Sequence, residues 1–508
     1  MFRRHITTSV RARLADAWRR LLQVPPRETF AFTDTVDGNP HAFPPHKAQA
    51  ALMRAVAFVL GDNPEAAREA LDSSALTDRE ARVVQLLHRF VHWRLGHWRH
   101  LYACVDPPNA GTPACEATAR ILDLALLAAA DLEQLQLMSA SRLATDALDV
   151  AQQEGMGASI AAASAATVLA CVRYEMGYVD RAEEVIRGRM SIIKEEGMPD
   201  TVIRAYLLLT RIAHHRGQFD YAGMLLSEGQ SLGEHKGWPR MVAVMRAERV
   251  RVVLARGQID RAWIEVLELD AHAQTLQCES LCVREEIKQI SAITRARIDI
   301  ARGDPFGSSE SLAHLHQRLI AEQRLYAAFQ LSLDLIEALA GSRANTEARQ
   351  RLLRLLETSA HVGLFQSLID AGPGLDPLLA VLATPAVHQE EPSVMMLTPY
   401  LRSLISHRLA KDRKLRSVRC LAQRAHDRLS PRECAVLNLI AQGQSNKRVA
   451  QVLRIAPETV KSHLKRVFVK LGSKSRAEAV SRATDLGLLI RTADPARTAR
   501  QQRLRHAL

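Results

Sequence analysis

Between about residues 40 and 380 the apolar positions gather in Ala- and Leu-rich stretches of helical period, with few β-branched runs and short breaks between them. Two glycine series set a longer period. Gly177, Gly217 and Gly257 stand 40 residues apart and open the similar phrases GYVDRAEEVI, GQFDYAGMLL and GQIDRAWIEVL. Gly157, Gly197 and Gly237 keep the same spacing of 40 midway between them, with Pro199 and Pro239 two residues after the last two. The pattern predicts a unit of two helices of about 16 residues, each closed by glycine and repeated at least three times. Glycine takes the left-handed conformation that ends a helix without steric cost. Asp180, Asp220 and Asp260 then fall where an N-cap is expected, and Ala182, Ala222 and Ala262 where paired helices cross closely. An earlier phrase, GDNPEAAREAL from Gly61, keeps the alanine at the fifth position and places the start of the array near residue 45. After residue 300 the period dissolves, although 310–340 and 344–370 still read as amphipathic helices.

The array resembles the tetratricopeptide-like helical repeats, although its period exceeds their unit of about 34 residues and their Trp/Gly/Tyr consensus is missing. The resemblance implies stacked helix pairs with a concave groove, between about 160 and 300, suited to a small effector or a protein partner.

Residues 429–472 read LSPRECAVLNLIAQGQSNKRVAQVLRIAPETVKSHLKRVFVKLG. Ser430, Pro431 and Glu433 have the spacing of a capping box before the apolar run Val436, Leu437, Leu439, Ile440, and Gly443 stops that helix. Ser445 caps a second helix of about eight residues whose apolar side is Val449, Ala450, Val452 and Leu453. Pro457 opens a third that runs to Gly472. At about 100° per residue, Glu458, Lys461, Ser462 and Lys465 share one quadrant of this third helix, and Val460, Leu464, Val467 and Leu471 the opposed side. Two short helices joined by a tight turn, the second laden with cations, are the parts of a helix-turn-helix. Lysines there can donate to guanine in the major groove, while Thr459, Arg466 and Lys470 are better placed for phosphates.

This segment resembles the LuxR-type DNA-binding domain, matching nearly every specified position of its pattern, including Arg432, Glu433, Gly443, Asn446, Lys447, Thr459, Val460, Lys461, His463 and Lys470. The resemblance implies four helices, with Lys461, Ser462 and Lys465 reading bases and Lys447, Thr459 and His463 at backbone or scaffold positions. It makes the fourth helix, about Ser475 to Leu488, a dimerisation helix. Two positions depart from the pattern: Ala456 replaces a capping serine, and Arg448 a common glutamate. A wider resemblance is to the large MalT-like regulators, carried by HVGLFQSLIDAGPGLDPLLAVLA (361–383) and PYLRSLISHRLA (399–410). Those proteins normally begin with a nucleotide-hydrolysing module, yet this chain has no G-x-x-x-x-G-K-[ST] and too few residues before the repeats for one. No cofactor, metal or catalytic constellation is expected, and the chain does not read as an enzyme.

Charge sharpens the picture. The 508 residues carry a net +13, but from Arg402 onward there are 25 Lys and Arg against 7 Asp and Glu, a net of +18. The rest holds 43 against 48, a net of −5. A polyanion is the natural partner of so basic a segment. Seven scattered cysteines suit reduced thiols, and the Arg-rich N-terminus lacks the features of a secretory signal, so a cytoplasmic protein without membrane segments is expected. His88, His92, His97 and His100, like Cys278 and Cys282, include i,i+4 spacings that could hold a metal, but packing is the expected role of both groups.

The sequence thus predicts an all-α chain in five parts: an N-terminal extension (1–44), a helical-repeat sensor (45–384), a basic linker (385–428), a LuxR-type helix-turn-helix domain (429–490) and a basic tail (491–508). The expected function is a bacterial transcriptional regulator on double-stranded DNA, a homodimer there, with RNA polymerase and a groove-bound effector or partner protein as further contacts. The competing reading is a repeat-array scaffold with secondary DNA contact.

Overall fold

The computed structural model describes residues 44–72, 81–103, 113–275, 278–342, 344–384, 392–453, 455–471, 473 and 475–485. Apart from Pro44, the expected N-terminal extension lies outside them, as does the basic tail. Every regular element among the described residues is an α-helix. The chain runs through α1 (Pro44–Leu60), α2 (Pro64–Asp72), α3 (Ala81–Leu95), α4 (Trp98–Ala103), α5 (Pro113–Glu133), α6 (Leu137–Gln153), α7 (Ile160–Glu175) and α8 (Val179–Arg187). It continues through α9 (Met190–Glu196), α10 (Pro199–His215), α11 (Phe219–Lys236), α12 (Pro239–Ala255), α13 (Ile259–Thr275), α14 (Leu281–Arg302), α15 (Phe306–Ala321) and α16 (Leu325–Gly341). The last eight are α17 (Asn345–Val362), α18 (Gln366–Asp370), α19 (Leu375–Leu382), α20 (Pro392–Arg428), α21 (Pro431–Ala441), α22 (Asn446–Leu453), α23 (Pro457–Leu471) and α24 (Arg476–Asp485). Residues 1–212 with 222–408 form one compact unit, and 213–221 with 409–508 a second. No described helix is long and apolar enough to cross a membrane.

The 40-residue period appears as helix pairs. Helices α10 to α13 have 17, 18, 17 and 17 residues, and Gly177, Gly217 and Gly257 each take a left-handed φ, of 87°, 75° and 72°. Ala182, Ala222 and Ala262 are fully buried. Several local expectations are corrected. Asp180, Asp220 and Asp260 are not N-caps: each is the second residue of its helix, where a carboxylate faces the positive end of the helix dipole. Gly197 has extended backbone (φ −66°, ψ 144°); a Cβ there would run into the Ile193 carbonyl and Val202, so space rather than handedness requires glycine. Gly155, not Gly157, takes the left-handed turn after α6. In GDNPEAAREAL the left-handed residue is Asp62, Asn63 caps α2 through Ala66 N–H at 3.2 Å, and the fully buried alanine is Ala67. The phrase is thus shifted by one position. Gly188 also splits the helix after Gly177 into α8 and α9.

The main hydrophobic core of this unit joins α1–α7 to α14–α20, and smaller clusters around Val253 and around Leu269 pack α12 to α14. The array closes back on its own first helices. Trp238 Nε1 donates to the Leu60 carbonyl at 2.8 Å, Trp98 Nε1 to the Glu322 carbonyl at 2.8 Å, and Tyr326 Oη to Glu175 at 2.7 Å. At the closure lies a buried charge network. Arg240 grips Asp62 with Nε and Nη2 at 2.7 and 2.9 Å and reaches Asp200 Oδ1 with Nη1 at 2.8 Å. Arg94 stands 3.0 Å from Glu286, 3.5 Å from Asp62 and 3.6 Å from Asp200. Burial alone would raise the Asp200 carboxyl, but the two guanidinium groups outweigh it and hold it well below the usual carboxylate range.

The stretch expected as a basic linker, 385–428, is helical from Pro392. Val394, Leu397, Leu401 and Leu404 join the repeat core, so the first half of α20 is part of the array. Pro399 interrupts the backbone bonding opposite Met395, which is exposed, so water can take the freed carbonyl. Arg408 fastens this half, donating to Asp376 Oδ1 at 2.6 Å and to the carbonyls of Leu368, Ala371 and Gly372 at 2.5, 3.2 and 2.7 Å.

The GPG at 372–374 packs around Glu337, leaving no room for a Cβ at Gly372. Burial, with Asp334 beside it, pushes the Glu337 carboxyl up to about 7 against the opposing pull of Arg408. A carboxyl whose folded pKa is raised stabilises fully below its unfolded pKa, and loses that contribution as pH climbs to the folded one. Stability should therefore fall by on the order of 2 kcal/mol between about pH 4.5 and 7 from this group alone. Urea unfolding across that range should show the decline in the native chain and a flatter profile in Glu337→Gln; parallel profiles would contradict the assignment.

Candidate nucleic-acid interface

Helices α21 to α24 enclose a small core of their own, in which Val436, Leu437, Ile440, Val449, Val460 and Val467 are buried. The capping box at its entrance is complete: Ser430 Oγ accepts Glu433 N–H at 3.3 Å, and Glu433 Oε2 accepts Ser430 N–H at 2.7 Å. Gly443 turns the chain with a φ of 79°, and Ser445 Oγ accepts Arg448 N–H at 3.3 Å to start α22. The helix is eight residues long as expected, but Val452 is exposed and only Val449 and Ala450 of its apolar side are buried. Ala456 supplies only its carbonyl to α23, accepting Thr459 and Val460 N–H at 3.0 and 3.2 Å, with no side chain to cap.

The division of α23 into two faces follows its phase. Val460, Leu464, Val467 and Leu471 are all buried against α21 and α22. Thr459, Lys461, Ser462, Lys465 and Arg466 are all exposed. Lys461 Nζ pairs with Glu458 Oε1 at 2.8 Å, an exposed i,i+3 contact of the kind worth roughly 0–1 kcal/mol, which a base or phosphate can displace. Lys447 and Arg448 are exposed at the start of α22. His463 is half-buried, and its Nδ1 is buried without a hydrogen-bond partner.

Lys470, expected near phosphate, reaches Glu433 Oε2 at 2.6 Å. Burial works against the Glu433 charge, but hydrogen bonds from Lys470 and Ser430 prevail and hold its carboxyl below the ordinary range. Lys470→Met should therefore cost about 1–3 kcal/mol of stability, because a buried carboxylate loses its cation. An unchanged unfolding midpoint with weakened DNA binding would return Lys470 to the phosphate role. Sequence reasoning missed Arg476, the first residue of α24. It donates to the Ile440 and Gln444 carbonyls at 3.2 and 2.5 Å, tying α24 to the end of α21 and the turn after it. The expected fourth helix, Ser475 to Leu488, starts with Ser475 capping Glu478 N–H at 3.1 Å; residues 486–488 lie outside the described ones.

The other candidates lie in the repeat array. His88, His92, His97 and His100 cluster with neighbouring ring centroids 5.2–6.1 Å apart, burial lowering His92 to about 4. Among the described residues no group of three or more His, Cys, Asp or Glu is arranged to hold a metal ion. Burial raises the thiols of Cys278 and Cys282, the opposite of activation.

Residues 114–385, more than half of the chain, match the MalT-like TPR region. The chain belongs to that family. Residues 427–483 match the luxR family of bacterial regulatory proteins, so this MalT-like array is followed by a luxR-family domain formed by α21 to α24. The HTH-type transcriptional regulator MalT of Vibrio campbellii is 24% identical over 334 residues, covering 61% of this chain and 34% of that protein. The nitrate/nitrite response regulator protein NarL of Escherichia coli strain K12 is 38% identical over 94 residues, 18% of this chain and 41% of that one. The chain spans about a third of the length of the MalT regulator it matches.

Proposed function

We propose that this MalT-like chain is a sequence-specific DNA-binding transcriptional regulator whose repeat array senses a small effector or a protein partner. The observation that carries the reading is α23: a sealed apolar face sets the helix on the domain, and the opposite face presents Lys461, Ser462 and Lys465 at base-reading positions. Thr459, Arg466 and Lys447 flank that face and serve phosphates, His463 lies toward the scaffold, and Lys470 holds the fold through Glu433. The chain acts as a homodimer on paired half-sites through its fourth helix, with RNA polymerase as its downstream partner.

The test is binding of the full chain to duplexes recovered with it by chromatin immunoprecipitation. Affinity should fall about 10³-fold between roughly 50 and 200 mM salt, as phosphate contacts release counterions, while recovered sites stay at least about 10³-fold preferred over random duplex at fixed salt. Equal affinity for all duplexes would defeat the sequence-specific reading.

A further inference from the structure

Helix α10 carries Asp200 and Arg204 one turn apart, so the two side chains leave the same face. Both line a pocket within the repeat array, between α1, α3, α5, α7 and α10. Its wall is largely apolar, with Phe90, Trp93 and Leu126 among the lining residues. Ser164 and Thr201 complete the polar edge, their hydroxyls 3.4 Å apart. Two groups at this edge have unused bonding capacity. Asp200 is 8% exposed; its Oδ1 takes the Arg240 bond, while its Oδ2 is buried with no hydrogen-bond partner. Arg204 lies over the Trp93 ring, 5.3 Å from the centroid, and makes no hydrogen bond or ion pair among the described residues. A buried carboxylate oxygen without a donor is costly, and native folds seldom leave one unless something else supplies the bond. A guanidinium fork beside it is matched to a carboxylate. An acceptor and a donor fork side by side above an aromatic wall are complementary to one kind of head group: a carboxylate with a donor on the neighbouring carbon.

We propose that this pocket binds an α-amino or α-hydroxy carboxylic acid with an aromatic or branched side chain. The carboxylate sits on Arg204, the α-ammonium or hydroxyl donates to Asp200 Oδ2, and the side chain lies against Phe90 and Trp93. The proposal rests on the reading of the array as a sensor and names the class of effector. The test is calorimetric titration of the full chain with L-phenylalanine, L-3-phenyllactate and 3-phenylpropionate, which lacks the α-donor. At least one of the first two should bind saturably, the stronger one deciding between ammonium and hydroxyl, and 3-phenylpropionate should be at least about tenfold weaker. Arg204→Met should weaken binding by at least about tenfold while the chain stays folded, the lost Trp93 contact lowering the unfolding midpoint only modestly. Absence of saturable heat for both acids up to about 10 mM, equal binding of 3-phenylpropionate, or undiminished binding by Arg204→Met would overturn the proposal. Operator affinity measured with and without the bound acid separates the two levels of inference: binding with no change on DNA upholds the pocket and refutes the sensor reading.

Discussion

Replacing Arg240 by methionine is expected to lower the stability of the repeat unit by about 3–5 kcal/mol, the cost of leaving buried carboxylates without their cation. The side chain is almost wholly buried, as is that of Asp62, which takes two bonds from it. Asp200 loses its shortest cation contact in the same change. Methionine keeps the apolar stem and loses the guanidinium, so the missing charge and its hydrogen bonds dominate the loss. Arg94, 3.5 Å from Asp62 and 3.6 Å from Asp200, should retain part of the stabilisation and keep the loss toward the lower end. Urea unfolding followed by far-UV circular dichroism reads the effect. A change below about 1 kcal/mol would mean that the network contributes little to closing the array. The double variant Asp62→Asn with Arg240→Met should recover part of the loss, because the orphaned carboxylate is then gone.

How far the sequence alone reaches depends on how far apart the interacting residues lie. The helix-turn-helix is short and local: the capping box at Ser430, the left-handed Gly443 and the buried seam Val460, Leu464, Val467, Leu471 all rest on spacings of a few residues. The repeat glycines are legible for the same reason. Reading Asp180, Asp220 and Asp260 as caps failed because each is the second residue of its helix, where an acid acts within the first turn; Tyr178 opens α8 without a side-chain cap. Gly61 failed by one, since Asp62 tolerates the left-handed turn in its place. The closure of the array was not legible at all. Arg240 meets Asp62 across 178 positions and Arg94 meets Glu286 across 192, and no periodicity within a helix encodes such a pairing. The same holds for the pocket edge, where Asp200 becomes notable only once Arg240 is seen to use one of its oxygens and nothing the other.

Lys461→Ala and Lys465→Ala are each expected to lose about 1–3 kcal/mol on a cognate duplex and much less on random DNA, because a lysine that donates to base edges carries discrimination. Both side chains are exposed on α23, and neither contributes to the buried seam, so the fold should be unaffected. For Lys461 the loss should fall toward the low end, since binding must first release its contact with Glu458. Arg466 is exposed beside them and is assigned to phosphate, so Arg466→Ala should weaken cognate and random duplexes alike and make the salt dependence shallower by about one unit of slope.

The most direct test of a base-reading α23 is therefore a fixed-salt titration of the native chain and these three variants, each against a cognate and a random duplex. The account predicts that Lys461→Ala and Lys465→Ala lower the ratio of cognate to random affinity by about tenfold or more, and that Arg466→Ala leaves the ratio unchanged. Equal losses on both duplexes for all three variants would contradict it.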